Sequence, residues 1–258
     1  MAVVKNEFPI LEYDTEKEGI IKPGRHGNAS LPEICVMTFF GEVLGAFVAE
    51  HKAKIGNGHY NSEMRAFPIY AFEYGGIEMC AMQAAVGSGS IAMQADFLIG
   101  YGVRKISLCG CCGVLTDIPA GDVVVAVAAL RDEGASYHYL PPSREIELDR
   151  DIVAVIKSTL DENHVPYIEC KTWSTDAFYR ETPDMVAYRR EEGCQVVEME
   201  CAAAAAVARF RGARFGQLLY GGDILTDPSN YDERDWGRNL TAREKLFYLS
   251  LETAAKLR

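Results

Sequence analysis

From Glu33 onward the chain alternates between two textures of hydrophobic and polar positions. One is short, continuous and apolar, rich in β-branched residues: 34–39, 69–74, 77–84, 106–109, 123–127, 167–173 and 215–220. The other has helical spacing or helix-forming composition: 42–51, 90–100, 150–163, 183–192, 200–211 and 241–257. A strand that is apolar along its whole length is buried on both faces. Such strands alternating with helices predict a sheet covered on both sides. Thr241 and Glu244, three residues apart, have the spacing of a capping box at the start of the last helix. No repeat, low-complexity stretch or Pro/Gly-rich linker divides the chain. The expected architecture is a single α/β domain over residues 31–258, a three-layer sandwich with a mixed, twisted central sheet and helices on both faces. Residues 1–30 are polar and mixed and end in Gly24, Gly27 and Asn28. They are expected to form an N-terminal extension lying on the surface or on a partner subunit.

Composition narrows the class. With 258 residues, 48% of them hydrophobic, the chain can bury a large core. The formal net charge of -11 and the lack of any Lys/Arg run argue against a nucleic-acid polymer as partner. The pair Arg189 and Arg190 stands beside Glu191 and Glu192, the pattern of a solvated helix face. No window approaches the roughly 20 apolar residues of a membrane span. The first residues lack a signal-peptide pattern, so no membrane partner and a cytoplasmic location are expected. Cys109, Cys111 and Cys112 cluster, but no His/Cys group follows at ligand spacing. They are read as small buried thiols, with no metal and no cofactor implied.

Four places carry candidate chemistry. In the stretch from Val196 to Cys201 a short apolar strand runs into an Ala-rich helix, with Glu198 and Glu200 at the junction. A buried carboxylate needs hydrogen-bond donors, and the vicinal hydroxyls of a sugar would supply them. The alternative is that one of the two glutamates caps the helix. Asp223 follows Gly221 and Gly222 at the end of an apolar strand, where open α/β sheets place ligand contacts. It is either a general acid with a raised pKa or an Asx turn. Gly87-Ser88-Gly89-Ser90 opens a helix and is a candidate anion site. Gly110-Cys111-Cys112-Gly113 reads as a second tight turn.

In this order the segments resemble the nucleoside phosphorylase family. Residues 196–206 are similar to its "VEMEAA" helix start, and Gly222-Asp223 to its "SD" strand end. Residues 174–179 look like its "SADLFY" segment, 110–114 its "GSCGA" turn, and Gly121-Asp122 its "vGD" step. Arg131 to Gly134 with Ser136, His138 and Tyr139 is similar to its "RDEGTS-HY" run. The likeness covers roughly residues 33–225.

The resemblance implies cleavage of the N-glycosidic bond of a purine-like nucleoside, by phosphorolysis to free base and ribose 1-phosphate. Glu200 would hold the 2′ and 3′ hydroxyls, Met199 would pack on the sugar, and Glu198 would line the same pocket. Phe178 and Gly222 would border the base, and Asp223 would protonate it as it leaves. Arg65, Gly110, Cys111 and Ser88 are the candidates for inorganic phosphate. The implied assembly is a homo-oligomer, a dimer or a hexamer of dimers, with Arg65 reaching into a neighbour's site.

The pattern also departs from the family. A "GDP-R" loop is expected where Phe39-Phe40-Gly41-Glu42 stands, an Arg where Leu108 stands, and a Ser at Cys111. Arg25 and Arg131 are the nearest cations that could make up for the loss. Glu42 lies near the place of the water-activating Glu of the family's hydrolases, the methylthioadenosine nucleosidases. A phosphate-independent nucleosidase is therefore the alternative reaction, and a nucleoside-binding protein without turnover is a third possibility.

Overall fold

The computed structural model describes residues 3–24, 30–51, 53–227 and 231–257. At the N-terminus β1 (Val3–Val4) and β2 (Tyr13–Asp14) pair antiparallel. The main fold runs β3 (Ile34–Thr38), α1 (Gly41–Glu50), β4 (Lys54–Asn61), β5 (Ala66–Tyr74), β6 (Ile77–Gln83) and α2 (Ser88–Gly100). It continues through β7 (Lys105–Val114), β8 (Val123–Asp132), β9 (Glu145–Glu147), α3 (Arg150–Glu162), β10 (Tyr167–Thr175), α4 (Pro183–Glu191) and β11 (Cys194–Glu198). It ends with α5 (Cys201–Arg211), β12 (Arg214–Ile224) and α6 (Leu240–Lys256).

The strands form one mixed sheet in the order β11-β10-β8-β12-β7-β3-β6-β5-β4, with β9 on β8. Helices α2 and α5 cover one face, and α1, α3 and α6 the other. The expected α/β sandwich is therefore the observed architecture. One feature exceeds it. β11 also pairs antiparallel with β7, which closes β7, β12, β8, β10 and β11 into a small barrel. Cys112, Val114, Val124, Cys170, Val196 and Leu219 draw on all these strands and form one buried cluster.

Small residues set the spacing of the layers. Ala202 to Ala206 of α5 are all buried, so this helix lies close to both α2 and the sheet. At Gly216 a Cβ would stand 2.3 Å from the Ile152 side chain, so only glycine lets α3 approach β12 there.

Several local expectations are corrected. Residues 110–113 are not a turn: β7 runs on to Val114, because these residues still pair with β12 and β11. β12 likewise continues through Asp223 instead of stopping before it. α6 is capped by Asn239, whose side chain accepts from Ala242 N at 3.1 Å, so Thr241 lies inside the first turn and no capping box with Glu244 forms. Arg189 is buried, not solvated: it bridges Asp132 and Glu192, both at 2.8 Å, and lies over the Trp173 ring. Strand β4 escaped detection because its sequence KIGNGHYN has no apolar alternation.

The N-terminal extension lies against its own chain. Arg211 donates to the Lys17 carbonyl at 2.6 Å, and Gly24 approaches Gly100 so closely that a Cβ would fall 2.2 Å from the Gly100 carbonyl oxygen. Gly27, Asn28 and Arg25 lie outside the described residues.

Candidate active site

The ends of β7, β10, β11 and β12 and the start of α2 converge at one edge of the barrel. At the end of β11, Glu198 is buried and accepts four hydrogen bonds. These come from Ser174 Oγ at 2.5 Å, Thr172 Oγ1 at 3.2 Å, Glu200 N at 2.7 Å and Cys201 N at 2.6 Å. Two of the donors are the N–H groups of the N-cap residue Glu200 and of Cys201, the first residue of α5, so Glu198 receives the N-terminal end of that helix. Its oxygens are filled by the protein. Burial pushes its carboxyl up, against the pull of these donors.

Glu200 is left for another task. Its Oε1 accepts from Gly87 N at 2.6 Å, and its Oε2 has only a 3.3 Å contact from Met199 N. Burial first, and then the Glu198 charge, push its carboxyl up to about 8. Gly87 can serve it because its φ of 96° turns the chain into α2, a conformation that favours glycine. Met199 lies half-buried between the two glutamates. The Ser88 hydroxyl is occupied: it donates to Asp176 Oδ1 at 2.5 Å, while Asp176 Oδ2 accepts from Gly134 N at 2.8 Å.

Asp223 stands on β12 across from β7; a Cβ on Gly113 would be 3.5 Å from its Oδ1. The Asp223 carboxyl opens into a cavity of about 610 Å³ whose walls include Phe178, Tyr179, Glu181, Tyr231 and Trp236. Burial pushes its pKa up, the Glu233 charge adds to this, and the Tyr231 hydroxyl, donating to Oδ2 at 3.0 Å, pulls it back. Glu181 is pushed up to about 7 by burial and by the Asp223 charge. Phe178 is half exposed and lies against Tyr179, their rings tilted by 36° with centroids 4.0 Å apart. Gly222 faces away from open space: a Cβ there would meet the Cys112 carbonyl oxygen at 3.1 Å and Trp236 Cβ at 3.2 Å. The serine of the family pattern would need these neighbours to give by a few tenths of an ångström.

Asp223 on β12 and Glu200, just past β11, flank the end of β7, the strand that carries Cys111 and pairs with both strands. Burial pushes the Cys111 thiol up to about 12, and the charges of Arg243, Asp223 and Glu200 all act on it. At Gly110 a Cβ would fall 2.7 Å from the Phe39 ring, so glycine admits that aromatic. Glu42, in the first turn of α1, accepts a hydrogen bond from Arg243 Nη1. Arg65 donates to Gln83 Oε1 of its own chain, with its guanidinium 4.3 Å above the Phe67 ring. Arg131 is committed elsewhere: it donates to Ser136 Oγ, Ser143 Oγ and the Pro141 carbonyl at 2.7–2.8 Å. Among the described residues no group of His, Cys, Asp and Glu is arranged to hold a metal ion.

A family model described as the phosphorylase superfamily matches residues 33–251. The chain belongs to the phosphorylase superfamily. It is 30% identical to a guanosine phosphorylase of Halorubrum lacusprofundi over 162 residues, 61% of this chain and 66% of that protein. It is 27% identical to a purine nucleoside phosphorylase of Plasmodium vivax over 206 residues, 77% of this chain and 81% of that protein. Among solved structures it resembles the purine nucleoside phosphorylase of Toxoplasma gondii in complex with immucillin-H. That likeness has a TM-score of 0.76 at 17% identity, over 88% of this chain and 92% of that one. It also resembles the AMP nucleosidase of Bacteroides thetaiotaomicron, with a TM-score of 0.71 at 20% identity, over 87% of this chain and 88% of that one. These two likenesses show the fold.

Within this phosphorylase-superfamily fold, the site gathers residues that sequence reasoning did not single out. Arg243 comes from the last helix, far along the chain, and no motif marks it. Glu181, Tyr231 and Trp236 come from irregular segments beside α4 and before α6. Only Asp176 had a signal, its place inside the 174–179 segment.

Proposed function

We propose that this protein cleaves the N-glycosidic bond of a purine-like nucleoside by phosphorolysis, giving free base and ribose 1-phosphate. The observation that carries the proposal is a pair of carboxyl groups on the two strands that flank the end of β7, Asp223 on β12 and Glu200 just past β11. Asp223, held toward its protonated form, opens into an aromatic-walled cavity suited to a base. Glu200, with one oxygen only weakly engaged, stands on the other side where a sugar would lie. In the reaction a phosphate oxygen bonds to the anomeric carbon as the carbon–nitrogen bond breaks. The ribose passes through oxocarbenium character, Glu200 fixes its hydroxyls, and Asp223 delivers its proton to the departing base nitrogen. Phe178 flanks the base and Met199 the sugar. Glu198 acts by holding the start of α5 in place.

A second reaction is favoured by one observation. In the first turn of α1, Glu42 carries a half-exposed carboxylate that pairs with Arg243. Phosphate-independent hydrolysis, with Glu42 orienting a water, follows if that carboxylate is a base. Partners and setting accompany the proposal: a homo-oligomer with Arg65 at a subunit boundary, in the cytoplasm. Among the described residues no helix is long and apolar enough to cross a membrane.

The test is a panel of purine and pyrimidine nucleosides assayed for free base, with and without millimolar phosphate. Phosphate-dependent release of a purine with ribose 1-phosphate is the expected result. Release without phosphate that is lost in Glu42→Gln establishes the hydrolase. Nucleoside binding with no release under either condition shows a binding protein.

A further inference from the structure

The Glu42–Arg243 pair has a shape that the roles above leave unexplained. Arg243 stands in the first turn of α6 and Glu42 in the first turn of α1. The two helices share one face of the sheet, and their N-terminal ends meet beside the end of β3. The Arg243 side chain is 13% exposed, whereas that of Glu42 is 45% exposed. The guanidinium lies 4.9 Å from the centre of the Phe40 ring, and its Nε is buried without a partner among the described residues. The cation is thus enclosed and only partly used, while its counter-ion is open to water.

That asymmetry has a physical consequence. A guanidinium is a planar fork of five N–H donors that matches the oxygens of a carboxylate or a phosphate two at a time. An enclosed guanidinium with no counter-ion would be costly, so some anion has to sit on it. Glu42 meets that need. Because Glu42 is half exposed, its release to water costs little. A phosphate dianion in Glu42's place brings a second negative charge and more acceptor oxygens to Arg243 than Glu42 does. Packing places the exchange beside the candidate reaction centre. The Phe40 ring under Arg243 lies 5.9 Å from the Tyr220 ring, Tyr220 pairs with Cys111 and its hydroxyl donates to the Trp236 carbonyl at 2.6 Å, and Trp236 lines the cavity into which Asp223 opens. The other two described arginines considered for phosphate are engaged, Arg65 with Gln83 and Arg131 with residues 136–143.

We propose that Arg243 is the cation that receives the attacking phosphate, and that the Glu42 carboxylate is a stand-in anion that occupies Arg243 until phosphate displaces it. The proposal rests on the phosphorolytic function above. In it Glu42 competes with phosphate and is not a base. The missing arginine near Leu108 is replaced by one delivered from the far end of the chain.

Orthophosphate is titrated into the full-length protein without nucleoside, followed by 31P line broadening. Glu42→Gln is expected to tighten phosphate binding by about 10-fold, the scale of one charge-assisted contact. Arg243→Gln is expected to abolish it, and the double variant to behave like Arg243→Gln. Arg243→Lys keeps the charge without the fork and is expected to weaken binding by about 10-fold in a protein that stays folded by circular dichroism. Unchanged or weaker binding in Glu42→Gln overturns the proposal, as does phosphate binding that survives Arg243→Gln. Tightening confined to a nucleoside 5′-monophosphate, with orthophosphate unchanged, also overturns it. Readout by binding keeps the two proposals apart. Arg243-dependent phosphate binding in a protein that releases no base refutes the proposed activity and leaves the role of Arg243 standing.

Discussion

The Glu198 carboxylate accepts the backbone N–H of Glu200 at 2.7 Å. This bond separates two acids that the sequence presents as equivalents. Glu198 is spent on the start of α5, and in that position it holds Glu200 where Gly87 N–H can reach it. Replacing the two should therefore have opposite signatures. Glu198→Ala is expected to lower stability by about 2–3 kcal/mol, through the buried donors left unpaired at the start of α5. Glu200→Ala is expected to keep the fold and to erase the preference for ribosides over 2′-deoxyribosides, a loss of about 1.5–3 kcal/mol. Denaturant melts and kcat/KM for the two sugar series check this. A Glu200→Ala enzyme that still prefers ribosides removes Glu200 from the sugar site.

Stability of the ligand-free protein should fall as pH rises from about 5 to about 8. Burial raises the Glu200 pKa from 4.5 to about 8, and Glu181 from 4.5 to about 7. Below 4.5 both are neutral in the folded and unfolded chains, and nothing is lost. Above it the unfolded chain gives up these protons more readily than the folded one, so unfolding is progressively favoured until the folded groups titrate. Thermal melts across this window should show the decline, and Glu200→Gln should flatten part of it. A parent and a variant with parallel pH profiles would refute the assignment.

Asp223→Asn is expected to leave the melt unchanged and to cut turnover by about 100-fold or more, the scale of a general acid. The loss should be largest on nucleosides with poor leaving groups. Since the acid form of Asp223 is the active one and its pKa is raised, parent kcat/KM should decline toward alkaline pH. The variant should lack that limb. Full turnover of a natural purine nucleoside by Asp223→Asn excludes the acid role.

Arg65 tests the assembly. It is exposed, reaching Gln83 of its own chain. If it serves a neighbour's site, light scattering will find a homo-oligomer, and Arg65→Ala will lose activity while still assembling. Mixing Arg65→Ala with Asp223→Asn protomers should then restore activity, because a site with intact Asp223 gains Arg65 from its partner. A fully active monomer contradicts the arrangement.

The alternation of apolar strands and helices was enough to determine the layered α/β class, because burial on both faces leaves its mark on every position of a strand. The sequence also brought Glu198, Glu200 and Asp223 to attention, since carboxylates beside apolar strand ends stand out against their neighbours. Three matters were decided only by tertiary structure. The continuation of β7 through Gly110 to Val114 depends on pairing with β11 and β12, partners distant in sequence. The division of labour between Glu198 and Glu200 depends on which donors reach each oxygen, and Ser174, Thr172 and Gly87 all come from other elements. The cation at Glu42 depends on how α6 docks against α1, which brings Arg243 across 201 residues of chain. Hydrophobic pattern is a local property that each segment carries by itself, whereas a polar partner is chosen by geometry that exists only once the layers have packed.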